Sequence, residues 1–110
     1  MDSFVRRLVE RLLEPSRPLS RNRHFHTFET PEGRRALNLA RRLRGLARDV
    51  RRCLERGSRP EVREEGVDGA LRVELRFDAL GRRTAFLSGE EFEILRTLPG
   101  MADALRRGAR

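Results

Sequence analysis

Two kinds of side chain in this sequence could do chemistry: a pair of histidines and a large set of arginines. His24 and His26 flank Phe25, and two histidines at this spacing can point to one side of an extended chain. A metal site usually needs three or four converging ligands. No cysteine pair and no His-Glu-x-x-His pattern accompanies the two histidines. We therefore expect no metal site and no other cofactor.

The other reactive residue types do not form an enzyme-like pattern. Cys53 falls on the apolar face of a predicted helix, so we expect a small, unreactive core residue. Glu91 follows Ser88 at the spacing of a helix-capping box, and Glu64 and Glu65 are typical of a solvated turn. The sequence has no phosphate-binding loop, nucleophile elbow or dinucleotide fingerprint. We predict a non-enzymatic protein.

Arginine is the functional group that the sequence supplies in quantity. The 110 residues include 25 arginines and no lysine, and the formal net charge is +8. The first 59 residues carry sixteen arginines against seven acidic residues, whereas the remainder carries nine against ten. A basic field of this kind favours nucleic acid, an acidic membrane surface or an acidic protein. The absence of lysine indicates a GC-rich bacterial genome, so arginine abundance alone is not evidence for guanidinium chemistry.

A long helix must position most of these arginines. The stretch from Thr30 to Gly57 begins with an N-cap residue followed by Pro31, and it ends at a glycine that can close a helix. At about 100° per residue, one broad apolar face contains Ala36, Leu39, Ala40, Leu43, Leu46, Ala47, Val50, Cys53 and Leu54. On or near the opposite face lie Arg34, Arg41, Arg44, Arg48 and Arg52.

Three further arginines precede the long helix. Arg17, Arg21 and Arg23 stand near Phe25 and Phe28 in an irregular, proline-containing segment. Basic residues beside aromatic rings can neutralise phosphates and stack on bases. Alternatively, the two phenylalanines fill the core and the arginines are only solvated. We include the three arginines in the predicted nucleic-acid-binding surface.

A shorter helix is predicted over residues 3–14. Its apolar stripe repeats at helical spacing and contains Phe4, Val5, Leu8, Val9, Leu12 and Leu13. Asp2 or Ser3 can cap it. Glu10 and Glu14 on its polar side argue against attachment to an anionic membrane. No apolar run approaches the roughly 20 residues that span a bilayer, so we expect no membrane association and a cytoplasmic location.

The second half of the chain predicts a small antiparallel sheet. Residues 70–78 alternate between apolar and charged side chains, so that one face is buried and the other is wet. The buried face is predicted to hold Leu71, Val73, Leu75 and Phe77. Residues 83–87 return as the second strand. Residues 61–65 form a short edge strand before a turn bracketed by Gly66 and Gly69.

Helices are predicted to close the chain. Ser88 and Glu91 match a capping box, which predicts a helix that runs to about Thr97. Met101 then begins one or two last helical turns. The whole is an α+β fold: an N-terminal helix and a long amphipathic helix packed against a small antiparallel sheet, followed by a C-terminal helix.

The chain is expected to form a single domain with two halves of different charge. Residues 1–59 are the basic helical half, and residues 60–110 are the half that contains the hairpin and the last helix. The buried face of hairpin 70–87 is expected to pack on the apolar face of residues 34–54.

These patterns predict a small basic bacterial protein that binds nucleic acid through its phosphate backbone, without reading base sequence. The alternative is a non-enzymatic adaptor or regulatory subunit that binds an acidic protein. A third interpretation is that the arginine side of the long helix is only a solvated face. The predicted binding surface consists of Arg17, Arg21, Arg23, Arg34, Arg41, Arg44, Arg48 and Arg52.

Overall fold

The computed structural model of the chain describes residues 1–14 and 29–106. Their elements are α1 (Ser3–Leu12), α2 (Pro31–Glu55), β1 (Glu61–Val67), β2 (Ala70–Phe77), a 3-10 helix (Asp78–Leu80), β3 (Arg83–Ser88), α3 (Gly89–Arg96) and α4 (Met101–Ala104). Helices and an antiparallel sheet follow one another along the chain, so the fold class is α+β, as the sequence predicted. The chain divides into two compact units, Met1–Gly45 and Leu46–Arg110, and the boundary falls within the sequence of α2.

The first unit contains α1 and the first part of α2. The Phe4 backbone N–H donates to Asp2 Oδ1 at 2.7 Å, which identifies Asp2 as the N-cap of α1. Among the described residues of this unit, the buried apolar side chains are Val5, Leu8, Val9, Leu12, Leu13, Ala36, Leu39, Ala40 and Leu43. The Arg44 guanidinium donates to the carbonyl oxygen of Leu12, which ties α2 to the end of α1.

Two details of the first helix differ from the sequence-based expectation. The helix ends at Leu12, two residues earlier than predicted. Phe4 was expected on the buried stripe but is exposed. It lies about 100° around the helix from Val5, which places its ring on the flank of the buried stripe.

Both ends of α2 carry the signals that the sequence predicted. At the start, the Gly33 backbone N–H donates to the Thr30 hydroxyl at 3.0 Å. At the end, Gly57 has a φ of 73°, and the backbone N–H of Ser58 donates to the Cys53 carbonyl oxygen at 2.9 Å. This bond closes a Schellman motif. Leu54, in the last turn of α2, was predicted on the apolar face but is exposed.

The three strands form an antiparallel sheet in the order β1-β2-β3. The strand register places Val62, Val73, Leu75, Phe77, Ala85 and Leu87 on one face, here called the inner face. Val73, Leu75, Phe77 and Leu87 are buried together with Phe92, Ile94 and Leu95 of α3. The predicted alternation in β2 is therefore confirmed at these three β2 positions.

The hairpin between β1 and β2 confirms the edge strand that was predicted over residues 61–65. Glu64 and Glu65 are therefore strand residues and not part of a solvated turn, and Gly66 continues β1 instead of beginning the turn. The turn itself is Asp68-Gly69, whose φ angles are 50° and 78°; two positive φ angles suit a tight hairpin turn. Leu71 is exposed because the residue opposite it is Gly66, which has no side chain to cover it.

The predicted capping box at the start of α3 is confirmed. The Glu91 backbone N–H donates to Ser88 Oγ at 3.1 Å, and the Ser88 backbone N–H donates to Glu91 Oε1 at 2.8 Å. Two backbone donors that the helix cannot satisfy by itself are thereby paired. This fixes the direction in which the chain leaves β3 and enters α3.

Replacing Ser88 with alanine is expected to lower the free energy of unfolding by about 1 kcal/mol, because one N-cap hydrogen bond is lost. Urea denaturation measures the effect. Ser3→Ala is the matched control, since Ser3 is exposed and the cap of its helix is Asp2. Equal unfolding midpoints for the two variants would show that the Ser88 cap adds no stability.

Candidate nucleic-acid interface

The exposed side of α2 carries arginine almost exclusively. Its exposed arginines are Arg34, Arg35, Arg41, Arg42, Arg44, Arg48, Arg51 and Arg52. The acidic residues of α2 are Glu32 in the first turn, Glu55 at the end, and Asp49. Asp49 is only 8% exposed. Between Gly33 and Leu54, α2 therefore has eight exposed arginines and no exposed acidic residue.

Helical spacing brings these arginines together in pairs within each unit. In the first unit, Arg34 and Arg41 are seven residues apart, which places them on one side of α2 about 10.5 Å apart along its axis. In the second unit, Arg48 and Arg52 are four residues apart, or about 6 Å along the axis. Within its own unit, each pair can contact phosphate groups of a polyanion.

Arginines on the sheet are in a different electrostatic environment. The face opposite the inner face, here called the outer face, pairs Glu61, Arg63 and Glu65 of β1 with Arg76, Glu74 and Arg72 of β2. Arg72 Nη2 lies 2.8 Å from Glu65 Oε2, and Arg76 Nη1 lies 3.9 Å from Glu61 Oε2. On the outer face of these two strands, three arginines and three glutamates cancel one another. The outer face therefore offers a polyanion no net attraction.

The buried carboxylate of α2 has its own counter-charge. Arg83 Nη1, at the start of β3, lies 3.6 Å from Asp49 Oδ2. Because Arg83 balances this charge, Asp49 does little to offset the arginines on the exposed side of α2. Nearby, Arg56 Nη1 donates to the Ala79 carbonyl oxygen at 2.6 Å, so the end of α2 is tied to the 3-10 helix.

The structure describes five of the eight arginines that were predicted to bind nucleic acid. Arg34, Arg41, Arg44, Arg48 and Arg52 are exposed on α2. Arg17, Arg21, Arg23, His24 and His26 lie outside the described residues. Arg44 also donates to the Leu12 carbonyl oxygen, so part of its guanidinium holds the first unit together.

Sequence reasoning missed three arginines of this surface: Arg35, Arg42 and Arg51. They lie on the flanks of the exposed side rather than at its centre. The sequence did contain the information needed to predict them. Apolar residues occupy only about half of the circumference of α2, so the arginines on the flanks are exposed as well as those directly opposite the apolar face.

Cys53 is a core residue of the second unit. It is 1% exposed. Burial raises the pKa of its thiol, and the nearby Asp49 carboxylate raises that pKa further. A raised pKa lowers the fraction of thiolate, which is the reactive form. The geometry therefore makes Cys53 a poor nucleophile.

Cys53 is expected to react with iodoacetamide at pH 8 at a small fraction of the rate of an exposed cysteine, and to react fully in urea. Mass spectrometry of time points measures both rates. An Ala102→Cys variant supplies the exposed control, because Ala102 is exposed on α4. Equal labelling of the two thiols in the folded protein would contradict the buried position of Cys53.

Residues 1–14 and 29–106 offer neither a metal-binding cluster nor a membrane-spanning helix. These residues contain no group of three or more histidine, cysteine or acidic side chains placed to hold a metal ion. Among the same residues, no helix has both the length and the hydrophobicity to cross a bilayer. Comparisons with protein-family models, curated proteins and solved structures give no match for the chain. A function is therefore inferred from the chain's own residues.

Proposed function

We propose that this is a non-enzymatic, cytoplasmic nucleic-acid-binding protein whose α2 contacts phosphate groups without reading base sequence. The observation that carries the proposal is the exposed side of α2, with eight arginines and no exposed acidic residue between Gly33 and Leu54. Guanidinium groups bind phosphate oxygens through paired N–H donors. Phosphates repeat along every strand whatever its sequence, so a surface of arginines suits the backbone rather than the bases.

An acidic protein is the second class of partner that a basic surface could bind. Protein interfaces take most of their binding energy from buried aromatic and apolar anchors near the centre. Leu54 is the one large apolar side chain of α2 that is exposed, and it lies in the last turn of the helix. A charged surface without an apolar centre is better suited to a polyelectrolyte, because counterion release drives that binding.

The proposal is tested by fluorescence anisotropy with labelled random-sequence DNA and RNA, single- and double-stranded, over a series of salt concentrations. We expect binding at low salt that weakens linearly on a plot of log affinity against log salt. If four arginines neutralise four phosphates of B-DNA, the slope should be about −3.6. Two duplexes of equal length and unrelated sequence should bind with similar affinity.

Absence of binding to any of these nucleic acids at low salt would contradict the proposal. A stoichiometric acidic protein that co-purifies after nuclease treatment would then favour the adaptor. Strong binding to only one of the two duplexes would contradict the sequence independence, because backbone contacts carry no sequence information.

A further inference from the structure

Within the described residues, the sheet has two edge strands, β1 and β3. An edge strand presents backbone N–H and C=O groups that can pair with another strand. Charged side chains, proline and bulges protect most natural edges from such pairing. β1 has this protection, because four of its seven residues are charged. They are Glu61, Arg63, Glu64 and Glu65.

β3 lacks the protection that β1 has. Beyond Arg83, its sequence Thr-Ala-Phe-Leu-Ser contains no charge, no proline and no glycine over five consecutive residues. Thr84, Phe86 and Ser88 are exposed and lie on the outer face. Phe86 is 48% exposed, with the Arg72 guanidinium carbon 5.1 Å from its ring centre. A half-exposed aromatic ring in an uncharged edge strand is a surface that a further strand would cover.

We propose that β3 pairs with β3 of a second copy of this chain, antiparallel and centred on Phe86. A two-fold axis perpendicular to the sheet places Phe86 opposite Phe86 of the partner subunit. The same axis sets residue 84 opposite residue 88, and residue 85 opposite residue 87. Outer-face residues then meet outer-face residues, as antiparallel pairing requires.

The composition of β3 fits this register. Thr84 meets serine, Ala85 meets leucine, and the two Phe86 rings become cross-strand neighbours, which is a favourable aromatic pair. Arg83 lies one residue beyond the overlap, and the Glu91 carboxylate accepts from the Ser88 backbone N–H at its other end, so residues 84–87 are the uncharged part of the paired segment. The result is a continuous six-stranded sheet in which each copy covers the exposed ring of the other.

The same operation centred on the middle residues of β1 is unfavourable. A two-fold axis centred on Arg63, Glu64 or Glu65 places that residue directly opposite its own copy, and like charges in this position destabilise the pair. The two edge strands therefore differ in how well they can pair with a second copy of themselves. This contrast makes β3 the interface and leaves β1 as the outer edge of the dimer. The pairing of β3 does not rest on the nucleic-acid proposal.

The oligomeric state tests the inference in the absence of nucleic acid. Light scattering after size exclusion should give twice the 12.8 kDa chain mass for the wild type. Phe86→Glu and Phe86→Lys should each give the mass of one chain, because the two-fold axis sets identical charges against each other. An equimolar mixture of the two variants should recover the dimer. Val67→Glu, an exposed apolar residue changed at the opposite edge, should remain dimeric.

A wild-type mass of one chain, a dimeric Phe86→Glu variant, or a mixture that stays monomeric would each overturn the inference. Cysteine variants test the register without adding charge. A short bifunctional maleimide should link two copies of Phe86→Cys. It should not link Thr84→Cys, whose positions lie about 13 Å apart along the paired strands. Equal linking of the two cysteine variants would reject the register.

Discussion

The double variant Arg41→Glu, Arg48→Glu is expected to lose detectable binding to DNA and RNA at low salt. Each substitution reverses the charge of an exposed residue on α2, one in each compact unit. Counterion release disappears at these two positions, and two new carboxylates repel the phosphates. The fold should be unaffected, because neither side chain is buried. Anisotropy titrations measure the binding, and thermal melting confirms that the variant is folded.

Two neutral double variants test whether binding depends on where the positive charge lies or only on the total charge. Arg41→Gln with Arg48→Gln, and Arg72→Gln with Arg76→Gln, each remove two positive charges. The first pair should weaken binding by much more than the second, because Glu65 and Glu61 already neutralise Arg72 and Arg76. Equal losses from the two pairs would show that net charge alone matters. In that case α2 would be a scaffold rather than the interface.

Phe77→Ala is expected to lower the free energy of unfolding by about 3–5 kcal/mol, because a large buried side chain leaves a cavity. Phe77 is 1% exposed on the inner face of β2. The loss is a large share of the roughly 5–15 kcal/mol that stabilises a typical domain. Chemical denaturation followed by circular dichroism measures it.

Arg76→Ala is the control for Phe77→Ala. Arg76 lies next to Phe77 on β2 but on the outer face, where its ion pair with Glu61 spans 3.9 Å. Surface ion pairs of this kind contribute about 0–1 kcal/mol. If both variants unfold at the same denaturant concentration, the assignment of the inner and outer faces of β2 is wrong.

Local signals in the sequence were enough to predict several elements in detail. Thr30, Pro31 and Gly57 predicted where α2 begins and ends, and Ser88 with Glu91 predicted the start of α3, because caps act over one helical turn. The period-two pattern of β2 likewise predicted which of its residues face inward. In each case the residues that determine the structure are close together in the sequence.

Features that depend on distant residues could not be predicted in the same way. The exposure of Leu71 follows from its register with Gly66 across the hairpin, and the register was not known. The burial of Asp49 in a helix of arginines depends on Arg83, which is 34 positions away. The candidate surface was predicted along its central line only. The number of arginines that belong to this surface depends on how much of the circumference of α2 is buried, and that depends on the residues that pack against the helix.

The same arginines that suit α2 to a polyanion work against the helix that carries them. Arg41 and Arg44 are three residues apart, and Arg48 and Arg52 are four apart, so like charges face each other on adjacent turns. Each such contact costs a few tenths of a kcal/mol at low ionic strength. Dissolved salt screens this repulsion and also weakens phosphate binding. If the proposed binding is correct, we expect folding stability to rise and binding affinity to fall as the ionic strength increases. A bound polyanion would then supply the screening that α2 lacks when it is alone.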